Sequence, residues 1–189
     1  MGLVVFDITV SLDGFVTGPD DSPERPLGVG GEALHDWISA GRTDADTAVL
    51  DELFAAGAVV TGRRTYDNSE GEDGWGDGPL GTVPVFVLTH RPATREGRTP
   101  FTFVGDGPES AVAQARDTAG DGDVYVMSAN VAGQVLRAGL LDAIRLHIAP
   151  VLLGGGVRLF DDPALAGAKL RAERVVQTPC ATHLWYRVV

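Results

Sequence analysis

Several short stretches bring hydroxyls, guanidinium groups and glycine backbone to places where an anion could be held. Gly62-Arg63-Arg64-Thr65-Tyr66 follows an apolar run of strand length, Ala58 to Thr61, and opens a helical turn. Backbone N–H groups left free at such a start attract anions, and Arg63 and Arg64 add positive charge. The same residues also read as a surface turn with solvated arginines. Leu88-Thr89-His90-Arg91-Pro92 ends the next apolar run with a hydroxyl, an imidazole and a guanidinium. Together these suit a terminal phosphate monoester such as the 2′-phosphate of NADP, although a loop with solvated polar ends is the plainer reading of the stretch alone. Met127-Ser128-Ala129-Asn130 joins a strand to a helix, with Asn130 as its N-cap. The first turn, Val131 to Gln134, contains no acidic side chain, which leaves room for an outside anion.

Other stretches suit a flat organic ligand. Ser11-Leu12-Asp13-Gly14-Phe15 ends the first strand. Open α/β sheets place ligands at that end of a strand, but Asp-Gly is also a common β-turn corner. Leu153-Gly154-Gly155-Gly156 follows the apolar run Leu146 to Leu152. Its glycines permit close approach of backbone to a ligand, or form a bulge or tight turn. Gly28-Val29-Gly30-Gly31-Glu32-Ala33 matches a permissive dinucleotide fingerprint, but Pro26 stands where the preceding buried strand should be. A turn entering a helix fits it better. The four histidines, His35, His90, His147 and His183, lack metal-ligand spacing, so no metal is expected. His147 and His183 fall in strand-like segments and read as core or sheet-face residues. Asp51 sits just past the apolar face of its helix and reads as solvated.

The elements that must position these residues alternate. Strands are expected at Leu3–Thr9, Ala58–Thr61, Val85–Leu88, Phe101–Val104 and Val124–Met127, then at Leu146–Leu153, Leu170–Gln177 and Leu184–Val189. Helices are expected at Gly31–Ala40, after a cap at Asp46, from Pro108 to about Ala119, and over Val131–Arg137. Strands alternating with helices and ending in a strand-rich tail predict an α/β fold, a largely parallel sheet with an antiparallel edge. Two long loops, Thr17–Gly30 and Asp67–Pro84, have the length of functional loops, and the second carries Trp75.

At 189 residues, 44% hydrophobic and 22% charged, the chain reads as one globular domain over 1–189. A single cysteine, Cys180, excludes a disulfide framework and a Cys-rich zinc module and points to a reducing compartment. No apolar run of membrane-spanning length and no secretory signal pattern is present, so a cytoplasmic location and no membrane partner are expected. The net charge of −11 is unevenly spread. Residues 1–78 hold 16 acidic and 4 basic side chains, whereas residues 79–189 hold 10 and 11. Such an acidic half repels phosphate backbones and argues against nucleic-acid binding.

In chain order, Ser-Leu-Asp-Gly-Phe (11–15), Gly-Arg-Arg-Thr-Tyr (62–66), Val-Leu-Thr-His-Arg (87–91), Gly-Leu-Leu-Asp (139–142) and His-Ile-Ala-Pro-Val-Leu-Leu-Gly-Gly-Gly-Val-Arg-Leu-Phe (147–160) resemble one family. It is the bacterial dihydrofolate-reductase-like family that includes the reductase domain of riboflavin biosynthesis. The likeness runs from Val4 to Val188, and the segment 26–37 looks like a stand-alone subgroup of actinobacterial type. The resemblance implies a three-layer α/β sandwich, NADPH as cofactor, a homodimer, and hydride transfer to a C=N or C=O of a small pterin- or pyrimidine-like substrate. By motif position, Gly62, Arg63, Arg64 and Thr65 would hold the cofactor's phosphates, and Thr89, His90 and Arg91 would flank the 2′-phosphate. The turn Ser128, Ala129, Asn130 and Val131 would lie against the pyrophosphate. Asp13 would orient or protonate the substrate, with Phe15, Gly154 and Gly155 lining its pocket and Trp75 closing over it as a lid. The family usually has Gly-Gly-Ala where this chain reads Met127-Ser128-Ala129-Asn130. A Cβ where backbone packs on a phosphate costs up to about a few kcal/mol of binding, and a Ser hydroxyl that donates to the phosphate offsets it. The alternative is a non-catalytic small-molecule or protein binder that keeps the fold without the cofactor.

Overall fold

Polar residues alternate with apolar ones along the first strand, β1 (Val4–Ser11), and this sets the layers of the molecule. Val4 and Phe6 point into one hydrophobic cluster, and Val5 into a second on the opposite face. Asp7 and Thr9 share that second face by the two-residue period of a strand. In the computed structural model, which describes residues 2–39, 41–69, 81–91 and 100–189, β1 lies inside an eight-stranded sheet. The parallel part adds β3 (Ala58–Gly62), β4 (Val85–Leu88), β5 (Phe101–Val104), β6 (Val124–Val126) and β7 (Ala143–Ala149). Two C-terminal strands complete it, β9 (Leu170–Gln177) and β10 (Thr182–Val188), in the spatial order β5-β4-β3-β6-β1-β7-β10-β9. A small antiparallel ribbon of β2 (Phe15–Thr17) and β8 (Val157–Arg158) stands apart from the main sheet.

The antiparallel part is a strand pair. β10 runs against β7, and β9 returns beside β10 as the outermost strand. Helices α3 (Pro108–Ala119) and α4 (Ala129–Arg137) bury Ala111, Val112, Ala115, Val131 and Val135 against the Val4–Phe6 face. Helix α1 (Asp44–Phe54) buries Val49, Leu50 and Leu53 on the other face, beside Trp37 and beside Tyr66 of the short helix α2 (Arg63–Ser69). The result is the three-layer α/β arrangement expected from the sequence, with a core on each side of the sheet.

Several local expectations are corrected. Thr43, not Asp46, caps α1; Asp46 is the reciprocal member of a capping box, accepting from the Thr43 N–H at 2.7 Å. Ser128 occupies the N-cap position of α4, and Asn130 lies within the helix. Gly31–His35 is a 3-10 turn rather than an α-helix, although Leu34 and Trp37 are buried as the apolar stripe required. β7 covers Ala143–Ala149, so the Leu153-Gly154-Gly155-Gly156 segment is a loop beyond the strand. β2 and β8 are too short to leave an alternating pattern in the sequence, which is why neither was expected.

Candidate functional site

A cleft of about 920 Å³ opens at the C-terminal ends of β1, β3, β4 and β6. Open parallel sheets offer ligands this edge because the strand ends and the following helix starts leave backbone groups unpaired. The cleft has a polar end and an apolar end, and different elements build each.

At the polar end, β3 runs straight into α2, so Gly62, Arg63, Arg64 and Thr65 line the wall together. Across from them stand Thr89, His90 and Arg91 after β4, and Ser128, Ala129, Asn130 and Val131 at the start of α4. All the residues expected to hold the cofactor therefore face one space. A Cβ at Gly62 would come within 3.0 Å of Ser128 Oγ and 3.2 Å of Val131 Cγ2, so the glycine lets the end of β3 sit close against α4. Ser128 has φ −151° and ψ 124°, extended backbone open to any residue. Replacing a glycine there costs no strain. Its hydroxyl makes no cap bond, and the first turn of α4 carries no acidic residue, so the helix start keeps its free N–H groups and the positive end of its dipole toward the cleft.

The guanidinium groups are already oriented by carboxylates. Arg63 Nε donates to Asp67 Oδ1 at 2.7 Å, and Arg91 Nη2 lies 3.6 Å from Asp67 Oδ2. Arg64 grips Asp21 with Nε at 2.7 Å and with Nη2, while Asn68 Nδ2 donates to the same carboxylate at 2.7 Å. The Asp21 side chain is 4% exposed and that of Arg64 65%, so the pair fixes a charged fork whose outer side faces water. The Thr89 hydroxyl accepts from the Arg91 N–H at 3.1 Å, which shapes the turn carrying His90.

At the apolar end, Ile8, Val16, Pro26, Leu27, Met127 and Val157 supply the walls, with Thr9, Thr17 and His35 as polar groups. Thr17 Oγ1 is buried and has no partner among the described residues. Thr9 Oγ1 accepts from Trp37 Nε1 at 3.1 Å.

Behind Thr9 lies a row of buried ionisable side chains. Asp7 Oδ1 is 3.1 Å from His147 Nε2, His147 Nδ1 is 2.8 Å from His183 Nδ1, and His183 Nε2 is 2.9 Å from Asp46 Oδ1. None of the four is more than 4% exposed. The strand register makes the row: Thr9 faces His147 across β1 and β7, and His147 faces His183 across β7 and β10. Burial holds the His183 imidazole below its ordinary pKa, and neighbouring His147 adds to this, against the opposing pull of Asp46. Burial alone would raise the Asp46 carboxyl, but hydrogen bonds from the Thr43 hydroxyl, the Thr43 N–H and His183 outweigh it and hold the group below its ordinary value.

The residues given substrate roles lie elsewhere. The Asp13 carboxylate accepts from Ser11 Oγ at 2.6 Å, from the Gly154 N–H at 2.7 Å and from the Leu153 N–H at 3.1 Å. The Ser11 hydroxyl leads, against a desolvation that raises the carboxyl, and with the Gly154 and Leu153 N–H groups it lowers the pKa to about 2. Asp13 is therefore ionised at neutral pH, clasps the glycine turn to the end of β1, and is not among the cleft-lining residues. Phe15 is buried in the β2–β8 ribbon under the Arg158 guanidinium, 4.7 Å from its ring centroid. Gly154 and Gly155 do not line the cleft. The glycine of that turn with a steric need is Gly156, where a Cβ would fall 2.0 Å from the Thr17 carbonyl. Trp75 lies outside the described residues.

Sequence reasoning missed Thr9, Thr17, Asp21 and His35. Only Thr9 left a usable signal, since Asp7, Thr9 and Ser11 alternate with Phe6, Ile8 and Val10 in a strand otherwise fully apolar. Among the described residues, no group of three or more His, Cys, Asp or Glu side chains could hold a metal ion, and no helix is long and apolar enough to cross a membrane.

A family model described as the RibD C-terminal domain matches residues 3–184. A solved protein of Shewanella sp. PV-4 named for riboflavin biosynthesis is 23% identical, with a TM-score of 0.74 over 100% of this chain and 99% of that one. The Thermotoga maritima diaminohydroxyphosphoribosylaminopyrimidine deaminase/5-amino-6-(5-phosphoribosylamino)uracil reductase is 13% identical, with a TM-score of 0.65 over 100% of this chain and 57% of its own. Dihydrofolate reductase from Enterococcus faecalis, complexed with NADP(H), is 14% identical, with a TM-score of 0.63 over 99% and 96%. At these identities the likeness to solved structures speaks for the fold.

Proposed function

The chain belongs to the RibD C-terminal domain family, and on that premise we propose that it is an oxidoreductase that binds NADPH at the polar end of the cleft and reduces a small flat heterocycle, pyrimidine- or pterin-like, at the apolar end. The observation that carries this reading is the convergence of Gly62–Thr65, Thr89–Arg91 and Ser128–Val131 from separate strand ends onto one space. The bound nicotinamide would supply hydride to a C=N or C=O. The chain's own groups do the rest. The start of α4 and the Ser128 hydroxyl offer donors to the pyrophosphate, and Arg64 offers charge from its outer side. Thr89, His90 and Arg91 form the hydroxyl, imidazole and guanidinium set for the 2′-phosphate. The apolar walls around Ile8, Val16 and Leu27 exclude water from the ring, which concentrates the effect of the few polar groups there. Asp13 holds the Gly154 turn to the end of β1, outside the cleft lining. The acidic half of the chain, with 16 acidic and 4 basic side chains over residues 1–78, favours neutral or cationic substrates over phosphorylated ones.

Calorimetric titration with NADPH and, in parallel, NADH tests the reading. Micromolar NADPH binding with NADH much weaker is expected. No heat from either, with the protein shown to be folded, overturns it and favours the non-catalytic binder.

A further inference from the structure

Thr9 lines the apolar end of the cleft, and its hydroxyl has one hydrogen bond among the described residues: it accepts from Trp37 Nε1 at 3.1 Å. A hydroxyl can accept and donate. The indole N–H can only donate, so it occupies an acceptor position on Oγ1 and leaves the Thr9 proton to be given elsewhere. No side chain or backbone group among the described residues takes it.

Trp37 is not free to turn away. It is 1% exposed, and its ring lies 4.6 Å from that of His147 and 4.9 Å from that of His183, centroid to centroid. Those two imidazoles are fixed in turn by Asp7 and Asp46. The proton count of this row is constrained. Its three hydrogen bonds need three protons; a fourth would set two N–H groups against each other between the Nδ1 atoms, and with two a buried contact would have no proton. The row therefore forms a rigid base under Trp37.

We propose that Trp37, clamped against His147 and His183, fixes the Thr9 hydroxyl as a hydrogen-bond donor at the apolar end of the cleft, so that the bound heterocycle must present an acceptor there, a carbonyl oxygen on the ring. Thr9 is a specificity-determining residue and Trp37 its positioning residue. An amino group at that point of the ring sets donor against donor and is selected against, because a buried polar group left unpaired costs more than a poor contact at the surface. This choice between oxo and amino rings rests on the reading that the apolar end holds the substrate.

Neutron diffraction from deuterium-exchanged crystals of the full chain tests the geometry without any ligand. The expected map has the Trp37 Nε1 deuteron on Thr9 Oγ1, the Thr9 deuteron directed into the cleft, and three deuterons along Asp7–His147–His183–Asp46. A Thr9 deuteron turned onto a main-chain carbonyl, or four deuterons in the row, overturns the proposal. Titration of the NADPH-loaded protein with 5,6-diaminouracil and 5,6-diaminocytosine then reads specificity. The oxo compound is expected to bind about tenfold tighter. Thr9→Val should abolish the difference, Thr9→Ser should restore it, and Trp37→Phe, which keeps a ring but loses the N–H, should reduce it. A preference unchanged in Thr9→Val overturns the proposal. If neither pyrimidine binds, the substrate reading of the cleft fails, and the deuteron positions still decide the geometry of Thr9.

Discussion

At the polar end of the cleft, each group proposed to hold an anion sits at a turn where a strand ends or a helix begins, beside residues adjacent in sequence. At the apolar end, the decisive groups lie beneath the surface on three neighbouring strands and one helix, and partners in sequence are far apart. Asp7 and His147 are separated by 140 residues, and Asp46 and His183 by 137. The first kind of site is assembled from local backbone chemistry and tolerates change at single positions. The second depends on register, because a one-residue slip of β7 or β10 would turn a histidine to the opposite face. Substitutions at the two ends should therefore fail differently: those beneath the apolar end through stability, those at the polar end through binding.

The largest effect is expected at Asp46, which is fully buried, closes the α1 capping box and holds His183. Asp46→Ala should cost about 3–5 kcal/mol, seen as a lower denaturation midpoint, because it strands a buried imidazole and removes a helix cap together. A loss below about 1 kcal/mol would show that the row is not a unit.

Arg91→Ala tests the opposite end. NADPH affinity should fall about tenfold, or about 1.4 kcal/mol, with NADH affinity and thermal stability unchanged, since the side chain is mostly exposed and reaches Asp67 only at 3.6 Å. Equal losses for both cofactors in parallel titrations would remove the 2′-phosphate from this corner. Gly62→Ala should cost about 1 kcal/mol of stability and weaken NADPH several-fold, because the new Cβ must push Ser128 or Val131 away. Stability lost without any change in NADPH binding would separate this wall from the cofactor.

The acid limb of stability gives the smallest effects. The His183 pKa is depressed in the folded protein, so its neutral form contributes stability above the ordinary value of 6.5 that is lost as pH falls. Asp13, lowered from 3.8 to about 2, contributes above 3.8 and loses that contribution as pH falls toward 2. Thermal melts across pH should show both slopes. Asp13→Asn should remove only the lower one and also lower the melt at neutral pH, where the ionised carboxylate contributes in full.

How much of this was legible follows the same division. The α/β alternation, the parallel sheet, helix α3 from Pro108 to Ala119 and strand β9 from Leu170 to Gln177 were readable, because period and punctuation are local properties. So were the residues of the polar end, whose glycines, arginines and hydroxyls mark turns. The roles expected of Asp13 and Gly154 rested on their place at strand ends, but the two hydrogen-bond each other across 141 positions, a pairing that only the fold reveals. His147 and His183 read as sheet-face residues, and they are; their shared hydrogen bond depends on the β7–β10 register. Thr17 and His35 carry no pattern at all, since short irregular segments deliver them to the cleft.

The row of four buried ionisable groups also has a kinetic consequence. The complete row cannot form until β1, β7, β10 and α1 have all docked, and chains dominated by such distant pairings fold slowly. A partly docked sheet therefore leaves at least one of these polar groups buried without its partner, which disfavours half-formed intermediates.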